Sequence, residues 1–162
     1  MRNVSKIALA TLLASTFAFG AGSTSSDTTL TVNAQPGCSV QNSPALNISY
    51  TGLADATGSF DLQLLCDTGV AYTVAVGDGL NVDTTAGVRR ASDGAGNFIV
   101  YRLYSDASLT TELGVSGVNN TIAGTGDATT QTITIYASVK TADNATAVQG
   151  TYTDTLQISI TW

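Results

Sequence analysis

Five stretches of this 162-residue chain alternate apolar and polar side chains or are rich in β-branched and aromatic residues. They are "SFDLQLLC" (59–66), "AYTVAVG" (71–77), "FIVYRLYS" (98–105), "QTITIYASV" (131–139) and "DTLQISITW" (154–162). A period of two sends successive side chains to opposite faces, so each stretch reads as a strand. "ALNISY" (45–50) and "TELGVSG" (111–117) carry the pattern more weakly. Clusters of turn formers, "GDG", "SDGAGN", "GTGD" and "ADN", separate the runs, and no stretch has a helical period. Short strands punctuated by turns predict one all-β sandwich or barrel.

The first residues carry an address rather than structure. Arg2 and Lys6 precede the apolar run "IALATLLASTFAF", and small residues follow in "GAGSTSS". That order fits an export signal over residues 1–20, too short for a membrane span. Residues 21–35 then form an extension and 36–162 the folded domain. Without the signal, four Lys/Arg face twelve Asp/Glu, a formal charge of −8. An acidic surface repels phosphate backbones and anionic bilayers, which argues against nucleic-acid binding and membrane docking. The expected product is exported and not inserted in a membrane.

The two ends of the mature chain pose one question. Near the start, Thr28, Leu30, Val32 and Ala34 share one side of an extended segment and Thr29, Thr31 and Asn33 the other. At the finish, Leu156, Ile158, Ile160 and Trp162 alternate with Thr155, Gln157, Ser159 and Thr161. The final strand is expected to have an edge that nothing later covers, and open edges invite pairing with another chain. Strand addition between copies would satisfy both ends and, head to tail, would propagate. Alternatively, Gln35-Pro36-Gly37 makes a tight turn and the first strand folds back on its own domain. Periodicity alone allows both.

Little in the sequence speaks for catalysis or a cofactor. With no histidine there is no Ser-His or Cys-His pair. The carboxylates are scattered mostly through turns, where Asp bends the chain. Neither "VGDGLNVD" nor "ASDGAGN" has the ligand spacing of a calcium loop. Cys38 and Cys66 form an even pair, and in an exported chain this predicts a disulfide rather than a metal site. Closing that loop would stabilise by roughly 3–4 kcal/mol in the chain-entropy model. Of Arg89 and Arg90, one is expected to span the sandwich edge and pair with a carboxylate. Tyr101, Tyr104 and Tyr136 read as core or half-buried side chains rather than as a sugar platform.

Three stretches carry a family likeness. The alternating N-terminal segment closes on Gly37-Cys38, with Cys66 after the next strand. "RRASDGAGNFIVYRLYSDASLTTELG" contains Tyr101, Leu103, Tyr104, Asp106 and Ala107 in a Tyr-x-Leu-Tyr-x-Asp-Ala run. "GTYTDTLQISITW" contains Gly150, Tyr152, Asp154 and Thr155 and ends on the aromatic Trp162. With these, the chain resembles the spore coat U family and, within it, subunits of archaic (Csu-type) chaperone–usher pili. It departs in Ala91, where a member often has Met, and in Glu112-Leu113, where tryptophan is common. The resemblance implies an immunoglobulin-like β-sandwich lacking its final strand and completed by a strand donated from a neighbour. It implies a periplasmic chaperone, an outer-membrane usher and a homopolymer at the cell surface that supports adhesion and biofilm growth. Thr28, Leu30, Val32 and Ala34 would be the donor side chains, with Leu156, Ile158, Ile160 and Trp162 on the acceptor edge. The rival reading is a monomeric secreted or periplasmic binding module that completes itself.

Overall fold

The computed structural model describes residues 35–42 and 44–162. These form nine strands in two layers, with a single 3-10 turn at Thr141–Asp143. The larger sheet has the order β1-β2-β8-β5-β4, with β6 also paired to β5. Its members are β1 (Cys38–Val40), β2 (Ala56–Cys66), β4 (Arg89–Ser92), β5 (Phe98–Tyr104), β6 (Glu112–Leu113) and β8 (Thr130–Val139). The smaller sheet has the order β7-β3-β9, from β3 (Ala71–Val76), β7 (Thr121–Thr125) and β9 (Ile158–Thr161). All pairings are antiparallel.

The backbone of the sandwich is the β2–β8 ladder, ten consecutive pairs from Ala56↔Val139 to Leu65↔Thr130. Alternation along β2 sends Phe60, Leu62, Leu64 and Cys66 inward and Asp61, Gln63 and Leu65 outward. The inward set meets Val74, Val76 and Tyr72 of β3, Leu103 of β5 and Ile135 and Ala137 of β8. Leu64, Val74, Leu103 and Ile135 are fully buried. Each large aliphatic side chain so placed contributes about 1.5–3 kcal/mol. The all-β sandwich expected from the alternating runs is the fold observed. Tyr104 is buried, and Tyr101 and Tyr136 are half-buried.

Three strands escaped the periodicity because each is short. β1 has three residues; β4, "RRAS", is polar; and β7, "TIAGT", contains a glycine. Gly124 is there because the ring of Tyr72 covers it: a side chain would start 2.4 Å from that ring.

Two expected strands are corrected in extent and one in kind. "TELGVSG" keeps only Glu112–Leu113, since Ser116 and Gly117 take positive φ and turn the chain. "DTLQISITW" becomes a strand only from Ile158, because its partner β3 ends at Val76 and the chain after Gly77 bends away. Among the described residues "ALNISY" forms no ladder, although its side chains alternate between half-buried and exposed as a strand's would.

The arginine pair divides its labour. Arg90 binds Asp83 at 3.0 Å and lies over the Phe98 ring at 4.3 Å, as expected for one of the two. Arg89 is 2% exposed and makes no ion pair with a carboxylate among the described residues. Its guanidinium donates to the carbonyls of Val76 and Gly77 at the end of β3 and of Leu113 and Gly114 after β6. Burial pulls its pKa below the ordinary value, while Tyr101, Asp78, Glu112 and Asp154 act against that. An arginine stays protonated even so, and the carbonyls satisfy a charge that would otherwise be costly inside.

Candidate strand-binding groove

Two extended segments face each other across an open groove of about 810 Å³. One wall is 44–50, with Pro44, Leu46, Ile48 and Tyr50 half-buried and Ala45, Asn47 and Ser49 exposed. The other is 152–158, with Tyr152, Asp154, Leu156 and Ile158 half-buried and the residues between them exposed. The floor is Phe60 and Leu62 of β2 with Leu103 of β5. Leu46 and Ile48 can lie over β2 because residue 58 is glycine, where a Cβ would meet them at 2.9 and 3.0 Å.

Among the described residues, no backbone N–H or C=O of 44–50 or of 154–156 is hydrogen-bonded. The backbone of the second wall is tied at its ends, by Ser92–Thr153 and by Gly77 N–H to Gln157 C=O at 2.8 Å. Groups this strong are normally paired or solvated. A strand laid between the walls would find an open edge on each side and an apolar floor beneath.

One end of the groove is polar. Tyr101 donates its hydroxyl to Asp154 Oδ2 at 2.6 Å, and Asp154 Oδ1 accepts from Leu80 N–H at 2.9 Å and Asn81 Nδ2 at 3.1 Å. Burial first, then the bond to Asp154, push the Tyr101 phenol well above its usual pKa, so it stays protonated at neutral pH. This bond joins two of the three stretches that carry the family likeness. Tyr50, also at this end, has a buried hydroxyl with no partner among the described residues.

At the opposite end of the domain the chain is tied down where it enters β1. Cys38 and Cys66 are directly paired and joined by the expected disulfide. Gly37 N–H donates to Asp67 Oδ2 at 2.9 Å, and Asp67 N–H donates to the Gly37 carbonyl at 3.0 Å.

The residues singled out from sequence are distributed unevenly over this geometry. Leu156 and Ile158 line the groove. Ile160 pairs with Val74 and packs on the core beside Leu62 and Tyr72, beyond the groove. Trp162 is 62% exposed near Gly37, at the disulfide end. Thr28, Leu30, Val32 and Ala34 lie outside the described residues, as does the export signal. Sequence reasoning missed the opposite wall, Leu46 and Ile48, although the alternation of "ALNISY" was its visible trace. It also missed the floor and the Tyr101–Asp154 bond, because pairing between distant motifs has no local signal. Among the described residues no cluster of His, Cys, Asp or Glu could hold a metal ion, and no helix is long and apolar enough to cross a membrane.

Comparison with family models matches residues 14–159 to the Spore Coat Protein U domain. The chain belongs to this family. Among solved structures, the spore coat U chain is similar to a chain of the CsuC–CsuE chaperone–tip adhesion subunit pre-assembly complex from archaic chaperone–usher Csu pili of Acinetobacter baumannii. The TM-score is 0.57 at 16% identity, over 79% of this chain and 40% of that one. It thus spans well under half of that chain, and the likeness is one of fold. A chaperone–tip adhesin complex of CFA/I fimbriae biogenesis aligns more loosely, with a TM-score of 0.40 at 11% identity over 78% of this chain and 41% of that one. No curated protein matches.

Proposed function

We propose that this spore coat U chain is a structural pilin: a subunit of an extracellular chaperone–usher fibre that polymerises by strand donation and supports adhesion and biofilm growth. The observation that carries the reading is the groove over an apolar floor, where the backbones of 44–50 and 154–156 make no hydrogen bond among the described residues. Such a groove recognises an extended peptide, with main-chain hydrogen bonds for affinity and pockets for alternate side chains.

The donated strand is residues 28–34 of a second copy. Seven extended residues span about 23 Å, the length of either wall. Wall 44–50 runs from the disulfide end toward the Asp154 end, and wall 152–158 runs the other way. A strand antiparallel to 152–158 therefore leaves the groove at the Asp154 end. Its own domain begins soon after, at Cys38, so the disulfide end of the donor follows the Asp154 end of the acceptor. That contact repeats in one direction and builds a filament. Parallel insertion would bring two disulfide ends together, where the acceptor's own N-terminal segment departs.

In this register Leu30 and Val32 fall over the apolar middle of the floor, with Thr28 and Ala34 at its ends. Two aliphatic side chains contribute about 1.5–3 kcal/mol each when fully buried. The joint therefore leans on its backbone ladder. Before assembly the exposed walls need a protector, the role of a periplasmic chaperone, and an outer-membrane usher would exchange that protector for the next subunit.

The test compares the exported chain with and without residues 21–35, by unheated denaturing gels and negative-stain microscopy. The whole chain is expected to form a denaturant-resistant ladder and fibres. The shortened chain is expected to form neither until a peptide of residues 26–35 is supplied, which it should bind one to one. Monomers from both, with the shortened chain merely less stable, would favour a self-completing binding module instead.

A further inference from the structure

We infer that the reciprocal Asp67–Gly37 contact is a clamp that keeps the N-terminal segment out of its own groove and so commits it to a neighbour. The inference rests on the pilin reading and adds what decides between self-completion and polymerisation.

Self-completion is restricted by reach. Placed in its own groove in the direction proposed for assembly, residues 28–34 would end at the Asp154 end, about 23 Å from the start of β1. The four steps from Ala34 to Cys38 reach at most about 14 Å. The segment can enter its own groove only in the reverse direction, as a hairpin with 38–50. That hairpin must turn between Ala34 and Cys38, because β1 is held in register by the Cys38–Cys66 pair and disulfide.

The sequence offers such a turn. Pro36-Gly37 at the two central positions is a type II signal, and type II needs a positive φ at the glycine. Gly37 does not adopt one, and Gln35–Gly37 forms neither turn nor bend. A turn over 34–37 would instead use the Gly37 N–H to close, and that N–H is already bonded to the Asp67 carboxylate. The Gly37 carbonyl is taken by Asp67 N–H. Pro36 fixes its own φ and holds Gln35 extended.

Asp67 itself is well anchored. It opens the β2–β3 turn, which closes with Val70 N–H on the Asp67 carbonyl. Gly126 packs on this turn so closely that a side chain would start 2.3 Å from the Asp67 carbonyl oxygen. Trp162 flanks the exit, its indole Nε1 4.0 Å from where a Gly37 side chain would begin. Residues 35–37 are thus held extended ahead of β1, and this pre-ordering lowers the cost of presenting the segment before them to a second copy.

The test uses the full exported chain and its Asp67→Ala and Asp67→Asn variants. Ladder and monomer are quantified on unheated denaturing gels, and protease protection of residues 27–35 is measured in the monomer. Asp67→Ala is expected to raise the denaturant-resistant monomer several-fold, with residues 27–35 protected. Asp67→Asn keeps an acceptor oxygen and is expected to polymerise as the native chain does. An unchanged ladder in Asp67→Ala would overturn the inference. So would a lost ladder whose monomer has an unprotected N-terminus, since Asp67 would then only hold the fold together. A native chain that never forms a ladder removes the pilin reading and the clamp with it.

Discussion

Strand β2 and the segment 44–50 have much the same kind of sequence and opposite fates. In both, alternate apolar residues face inward, Phe60, Leu62 and Leu64 in one and Leu46, Ile48 and Tyr50 in the other. Yet β2 exchanges hydrogen bonds with β8 over ten consecutive pairs, while 44–50 exchanges none among the described residues. Residues 154–156 repeat the contrast, continuing the alternation of β9 past the end of β3 with no backbone hydrogen bond among the described residues. Alternation therefore reports which face of a segment is buried. It is silent on whether the backbone edges are paired, because edge pairing depends on a second segment that can be far away or on another molecule.

This contrast predicts a graded response to substitution. The ladder half should fail hardest: Ile135→Ala, in the fully buried core, is expected to cost about 2–5 kcal/mol, read from denaturant midpoints. Comparable loss there and at Leu156 would erase the distinction. Removing the disulfide by Cys38→Ser with Cys66→Ser is expected to cost about 2–5 kcal/mol. Its loss should show in the unassembled chain as clearly as in fibres, because it lies away from the groove.

At the polar end of the groove, Tyr101→Phe removes a hydrogen bond to a carboxylate and is expected to cost about 1.5–3 kcal/mol. Thermal unfolding of the monomer would read this. Leu156→Ala on the groove wall should change monomer stability by less than any of these. It should lower the temperature at which fibres dissociate, so equal shifts in monomer and fibre would count against the groove as a binding site.

The smallest expected effect is a pH dependence from the turns. Hydrogen bonds hold several exposed carboxylates below their usual pKa: Asp106 through the Ser108 hydroxyl and then Thr111 and Thr110, Asp55 through Thr141, and Asp83 through Ala86. A depressed folded pKa gives stability that is fully present above the unfolded value of about 3.9 and is lost as pH falls through the lower folded value. The unfolding temperature is therefore expected to be flat near neutrality and to drop in acid, with Asp106→Asn making the drop shallower. An unchanged profile in that variant would show that this turn makes no contribution to acid sensitivity.

How much of this was legible depended on how local the cause was. Long β2, β3, β5 and β8 announced themselves by alternation over six or more residues. The three-residue β1 and polar β4 did not, because they are held by pairing and, at Arg89, by carbonyls from two other segments. Leu156 and Ile158 were identifiable as an apolar edge. Ile160 carries the same alternation but belongs to the core, since the groove ends where β9 meets β3.

The sequence by itself determined the all-β class, the acidic charge, the disulfide pair and the family motifs, since each is written in composition or in short-range order. Only the tertiary structure decided that 44–50 stands opposite 152–158, with no strand of the described residues between them. It alone placed the Tyr101 hydroxyl on Asp154 and kept Pro36-Gly37, a turn signal in the sequence, out of a turn, with Gly37 bonded to Asp67. Side-chain periodicity is a property of one segment. A groove between two segments, and a hydrogen bond between distant motifs, arise only when distant segments are packed together.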